Sequence, residues 1–204
     1  MIVIVDYGLG NVRSVAGSLN KLGIESLLSN NPEDIKRAEK LILPGVGAFP
    51  DGMKNLKKLG LIEPLHQAVI KEKKPILGIC LGAQLMAKES FEFGQHQGLG
   101  WINASVVKID VGNNGLRLPH VGWNDLFQIK ADPLWDGISA KSLFYYVHSF
   151  HVQCHNRDIV IGECEYGIRF TACLHQENIY ATQFHPEKSQ LDGLTLLKNF
   201  LTKT

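Results

Sequence analysis

Alternation is the feature that most constrains the fold of this chain. Over the first ninety residues, short apolar runs rich in β-branched side chains take turns with stretches of helical periodicity. Residues 1–6 (MIVIVD) read as a buried strand ended by the turn signal YGLGN. Apolar Val12, Val15, Ala16, Leu19 and Leu22 then recur at helical spacing, with Gly23 where a helix-ending glycine belongs. Residues 24–29 (IESLLS) form a second strand. NPEDIKRA opens the next helix with an asparagine cap and a proline in its first turn. Residues 40–47 (KLILPGVG) are a third strand running into a glycine-rich loop. A helix follows over 51–73, interrupted near Gly60 and Pro64. Residues 74–80 (KPILGIC) are the fourth strand, with a helix from Leu81 to about Glu89.

This order predicts a parallel sheet covered by helices on both faces. After Trp101 the texture changes to strand-like runs: ASVVKID, LFYYVHSF, DIVIGECEY, IRFTACL and IYATQF, with turns such as GNNG at 112–115. The tail, DGLTLLKNFLTK, is a final amphipathic helix. The expected fold class is therefore α/β. It is a single domain over residues 1–204, with a mostly parallel central sheet and a more antiparallel or mixed C-terminal half.

Composition narrows the partners. The net charge is +1, which gives no pull toward nucleic acid or an anionic membrane. No stretch reaches the ~20 apolar residues of a transmembrane helix, and the N-terminal apolar run lacks a basic leader. Cys80, Cys154, Cys164 and Cys173 lie far apart with no CxxC pair, which favours a reducing cytoplasm over a zinc site or disulfide framework. His148, His151 and His155 do not have the spacing of a recognised metal-ligand set. No metal or organic cofactor is suggested.

Loops beyond the carboxyl ends of parallel strands carry the chemistry of such sheets, and both PGVG and GICLG fall there. Gly78-Ile79-Cys80-Leu81-Gly82 has the form of a nucleophile elbow with cysteine in place of serine. A helix N-terminus at this point favours the thiolate. A buried cysteine between two packing glycines fits the pentapeptide equally well. A nucleophile needs a base and the base an orienting group. In Gln183-Phe184-His185-Pro186-Glu187, residues two apart in an extended segment share a side, so His185 and Glu187 can meet. On spacing alone a surface histidine–glutamate pair remains open.

The two segments together resemble the triad-type (class I) glutamine amidotransferases. DYGLGN, LPGVGAFPDGM, GICLGAQLM, LPHVGWN, YYVHSF and QFHPEKSQ follow in order along almost the whole chain. The resemblance implies a glutaminase in which Cys80 is the nucleophile, His185 the general base and acid, and Glu187 the orienting carboxylate. It implies an oxyanion hole from the Leu81 amide and the loop of Gly45, Val46 and Gly47, whose peptide must reorient to serve. It assigns Gln84, His148, Ser149 and Phe150 to the glutamine substrate. Phe150 departs from the pattern, where tyrosine is usual.

Free ammonia in neutral water becomes mostly ammonium, which is not nucleophilic, so a glutaminase serving synthesis must pass ammonia on directly. No phosphate-cradling loop or acceptor domain is visible in the sequence. The acceptor site is then expected on another chain, and the resemblance implies a (β/α)8-barrel cyclase subunit in a heterodimer. Candidate interface residues are Asn11, Arg13, Pro119, His120, Trp123 and Asn124. Two alternatives stay open: a paralogous glutaminase donating ammonia to a sugar acceptor, and a binding subunit that keeps the fold without the chemistry.

Overall fold

The computed structural model describes residues 1–112 and 115–204, so the core of the expected GNNG turn lies outside the described residues. The first half alternates as expected. Strand β1 (Ile2–Val5) leads to α1 (Val12–Lys21), β2 (Ser26–Ser29), α2 (Pro32–Arg37) and β3 (Lys40–Gly45). Then come α3 (Phe49–Lys58), α4 (Ile62–His66), β4 (Ile76–Cys80) and α5 (Leu81–Leu85). Next are β5 (Ala87–Ser90), β6 (His96–Gln97), β7 (Ile102–Lys108), β8 (His120–Asp125), β9 (Phe127–Gln128), β10 (Leu143–His148) and β11 (Phe150–Cys154). Strands β12 (Val160–Tyr166), β13 (Ile168–Gln176) and β14 (Ile179–Thr182) precede the final helix α6 (Gln190–Lys203).

The main sheet runs β2-β1-β3-β4-β14-β13-β12-β9. Its first five strands are parallel and the remaining pairs antiparallel. A β11-β7-β5-β6 sheet and a two-stranded β10-β8 ribbon complete the second half. Because side chains alternate along a strand, the central strands serve two cores. Val3, Val5, Leu41 and Leu43 pack toward Phe49 and Leu56 of α3. Ile4, Ile42, Leu77 and Ile79 pack toward α1 and α6 through Val15, Leu19, Leu196 and Phe200. Each such large side chain contributes roughly 1.5–3 kcal/mol on burial, so both faces must stay covered. The ammonium of Lys40 caps the end of α6 through the carbonyls of Phe200 and Thr204.

Three boundaries differ from the sequence reading. The helix after Cys80 ends at Leu85, not near Glu89. Incoming backbone takes its carbonyls: Leu99 N–H donates to Leu85 O at 2.8 Å and Ile102 N–H to Met86 O at 3.0 Å. Residues 87–90 become a strand instead. In the 51–73 stretch the break lies after Lys58, with Gly60 at φ +66°. Pro64 does not interrupt; it sits in the first turn of α4, where an N–H has no intrahelical partner to lose. LFYYVHSF is two strands, parted at Ser149 and sent to different sheets.

Candidate active site

Cys80 ends β4 directly opposite Gly45 of β3 and caps α5. Its φ of +52° and ψ of −109° lie where a side chain is strained, a conformation that costs about 1–3 kcal/mol and clusters at functional sites. The flanking glycines make the turn possible. A Cβ on Gly82 would lie 1.8 Å from the Leu43 carbonyl oxygen, and one on Gly78 within 2.9 Å of Ala83 backbone.

The sulfur lines a cavity of about 130 Å³ with Val46, Gly47, Leu81, Gln84, Glu92, Val147, His148, Ser149 and Phe150. His185 and Glu187 do not line it; they are buried behind the nucleophile, with side chains 1% and 0% exposed. His185 Nδ1 lies 2.8 Å from Glu187 Oε1. The segment holding them is not extended: residues 186–188 form a 3-10 turn, and that curl brings the two side chains together. Nε2 of His185 has no hydrogen-bond partner and is left for the Cys80 side. Burial pushes the imidazole toward its neutral form, but Cys80 and then Glu187 outweigh it and raise its pKa to about 10. The ring therefore holds its proton at neutral pH.

The loop of Gly45, Val46 and Gly47 borders the cavity, but Val46 N–H is engaged by the Leu9 carbonyl at 2.8 Å. In this conformation it cannot serve an oxyanion. Gly47, at φ +104°, supplies the freedom for the peptide to turn.

Gln84 is buried and donates to the carbonyl of Phe150 at 2.9 Å and to Gln183 Oε1 at 3.2 Å. His148 Nδ1 donates to the same Phe150 carbonyl at 2.8 Å. Phe150 thus acts through its backbone, and its ring packs against the core. Two residues at the site escaped the sequence reading. Gln183, within the QFHPE run, places Nε2 3.7 Å from the Cys80 sulfur. Glu92 is the acidic side chain at the cavity wall and accepts the Phe49 N–H at 2.8 Å. The lone charge between exposed Phe91 and Phe93 was its one available signal.

The other thiols are of a different kind. Burial raises Cys154 to about 11 and Cys164 to about 12, and pushes Cys173 up as well. Among the described residues, no group of three or more His, Cys, Asp or Glu is placed to hold a metal ion. No described helix is long and apolar enough to cross a membrane.

The expected interface residues divide. Asn11 and Arg13 flank the start of α1, and Pro119 and Trp123 are exposed, the latter 44%. His120 differs from them: it is 3% exposed in the free chain. Along β8, His120 and Asn124 point inward while Val121 and Trp123 point outward, because alternate residues face opposite sides.

A strained thiol, an imidazole held by a buried carboxylate and a pocket sized for a small side chain make an apparatus for acyl transfer from an amide. Residues 3–204 match the family described as Glutamine amidotransferase class-I. The chain is 51% identical over 200 residues to Imidazole glycerol phosphate synthase subunit HisH 1 of Campylobacter jejuni subsp. jejuni serotype O:23/36 (strain 81-176), covering 98% of each. It is 47% identical to Imidazole glycerol phosphate synthase subunit HisH 2 of Methanococcus maripaludis, again covering 98% of each chain. A solved structure described as a glutamine amidotransferase superposes with a TM-score of 0.76 at 22% identity, covering 98% of this chain and 97% of that one. The chain belongs to the class-I glutamine amidotransferases.

Proposed function

We propose that this chain is the glutaminase subunit of an imidazole glycerol phosphate synthase, supplying ammonia to a (β/α)8-barrel cyclase subunit in histidine biosynthesis. The observation that carries the reading is the strained Cys80 thiol on one small cavity, with the hydrogen-bonded His185–Glu187 pair buried behind it. The names and full-length coverage of its relatives support the pathway. Residues 1–204 act as one domain, and the protein works in the cytoplasm, where four unpaired thiols are stable.

Cys80, its proton already passed to His185, attacks the side-chain amide carbon of glutamine. The oxyanion is met by the Leu81 N–H and, once the loop has turned, by the Val46 N–H. Such a donor contributes about 3–4 kcal/mol to the transition state. His185 gives its proton to the departing ammonia, leaving a glutamyl thioester on Cys80. Water, activated by His185, then releases glutamate and restores the thiol. Glu187 holds the imidazole in register through Nδ1. Glu92 is suited to the α-ammonium of glutamine, and Gln84, Ser149 and the Phe150 backbone shape the rest of the pocket.

The cyclase adds the ammonia to its ribulosyl aminoimidazole carboxamide substrate, giving imidazole glycerol phosphate and aminoimidazole carboxamide ribotide. The Val46–Leu9 hydrogen bond supports a gate: the free chain holds one oxyanion donor out of place until the loaded partner turns it. The test measures glutamate release by the chain alone, with the barrel, and with the barrel plus its nucleotide, using Cys80→Ala as blank. Strong release is expected only in the loaded mixture. Equal release by the free chain would refute the gate. No stimulation by the barrel would move the chain to the second reading, a paralogue serving a sugar acceptor. That reading draws on the Methanococcus relative being numbered as a second copy.

A further inference from the structure

A continuous run of hydrogen bonds leads from the β10-β8 ribbon to the nucleophile, and the triad uses none of its first members. Asn124 Nδ2 lies 3.2 Å from His120 Nε2 and donates to the Glu165 carbonyl at 3.0 Å. His120 Nδ1 lies 3.1 Å from His148 Nε2. His148 Nδ1 reaches the Phe150 carbonyl, which also accepts Gln84; Gln84 meets Gln183, and Gln183 meets the Cys80 sulfur.

One proton arrangement satisfies every member. A carbonyl only accepts, so His148 carries its proton on Nδ1 and its Nε2 must accept. His120 therefore donates from Nδ1 and accepts the Asn124 amide at Nε2. Both rings stay neutral: burial lowers His120 to about 4 and His148 to about 3. The His120 ring is further clamped between Tyr146 and Tyr166, stacked at centroid distances of 4.9 and 4.1 Å.

We propose that His120 is a positioning residue for glutamine turnover: it fixes the tautomer and orientation of His148, and through the Phe150 carbonyl it fixes the Ser149–Phe150 wall and the Gln84–Gln183 arm against Cys80. The inference rests on the reading of this cavity as the glutamine site. It also gives the ribbon a second role. Val121 and Trp123, 56% and 44% exposed, face outward on the strand whose inner face carries His120 and Asn124, so a partner pressing on that face bears on the first links of the run.

His120→Phe tests this, because phenylalanine can keep the stack between the two tyrosines while removing both ring nitrogens. In the assembled enzyme with barrel and nucleotide, KM for glutamine is expected to rise about ten-fold with little change in kcat, the effect of leaving one buried partner unpaired. Nitrogen NMR of the free chain should show His148 Nε2 losing its donor. His120→Gln, which can still donate to His148, should recover most of the KM and serves if the phenylalanine variant fails to fold. Phe170→Leu is the packing control, since that ring meets both histidines edge-on at 6.1 and 5.1 Å without joining the run. An unchanged KM in His120→Phe overturns the proposal, as does an equal rise in Phe170→Leu. Absent glutaminase activity in the wild-type complex would instead overturn the functional reading, while the His148 spectrum would still report on the relay.

Discussion

A methyl group on Gly82 has nowhere to go. Its Cβ would lie 1.8 Å from the Leu43 carbonyl oxygen and 2.8 Å from the carbonyl carbon, both rigid backbone. To reach even 3.0 Å, α5 and β3 must part by about 1.2 Å. Leu43 is in register with Gly78 in the β3–β4 ladder, so the displacement passes into both strands that carry the site. Overpacking a core costs about 1–3 kcal/mol, and a clash between two backbones belongs at the upper end. At roughly 2–4 °C per kcal/mol for a chain of this length, Gly82→Ala should lower Tm by about 6–12 °C. Activity should fall further than stability does, since a ~1 Å misplacement of a reacting group costs about 10²-fold. Thermal unfolding by circular dichroism, paired with glutamate release in the loaded complex, separates the two effects. Gly17→Ala is the control: nothing lies within 4 Å of its Cβ in α1, so the exchange should stabilise by about 0.5–1 kcal/mol. A Gly82→Ala protein with wild-type Tm and full activity would show that close approach is not why glycine stands there.

Other perturbations follow from the same geometry. Glu187→Gln keeps the shape but removes the charge at 2.8 Å from His185 Nδ1; steady-state kinetics should show kcat reduced by roughly 10³-fold with KM nearly unchanged. Gly47→Ala forces a side chain onto φ +104°, so stimulation of glutamate release by the loaded barrel should drop sharply while partner binding, followed by titration calorimetry, persists. In the His175–Asp132 pair, 2.6 Å apart, burial pushes the histidine pKa down, but the Asp132 bond, the Glu177 carbonyl and the Asp132 charge together outweigh it and raise the value. Its stabilisation is complete below pH 6.5 and is lost as pH rises through the folded value, so the Tm deficit of His175→Gln should shrink from pH 6 to pH 9. His120 and His148 act with the opposite sign: their folded pKa values are depressed, so the stability they confer is present above pH 6.5 and fades toward pH 4. Denaturant midpoints measured across that range should fall with acid, and less steeply in His120→Phe.

Legibility followed the range of the interactions. The parallel half could be read because strands buried on both faces are continuously apolar and the helices between them carry their own periodicity and caps, as Asn31 does for α2. The helix after Cys80 could not be bounded. Its last carbonyls are taken by Leu99 and Ile102, which no pattern within residues 81–89 reveals. The same limit governs the site. Cys80 was visible because its constraint is local: a strained turn needs small neighbours, and the chain writes them beside it. His185 and Glu187 were visible because two residues of separation keep them in reach whether the segment is extended or curled. Glu92 and Gln183 arrive through tertiary packing: Gln183 does not differ by type or spacing from its surface counterparts, and the two phenylalanines beside Glu92 do not say which site it joins. His120 was grouped with its exposed neighbours for a related reason. The motif that contains it marks a strand, and a strand has two faces; the sequence names the residues without saying which face meets a partner. Only the alternation, anchored by exposed Trp123, turns His120 inward, where it meets His148.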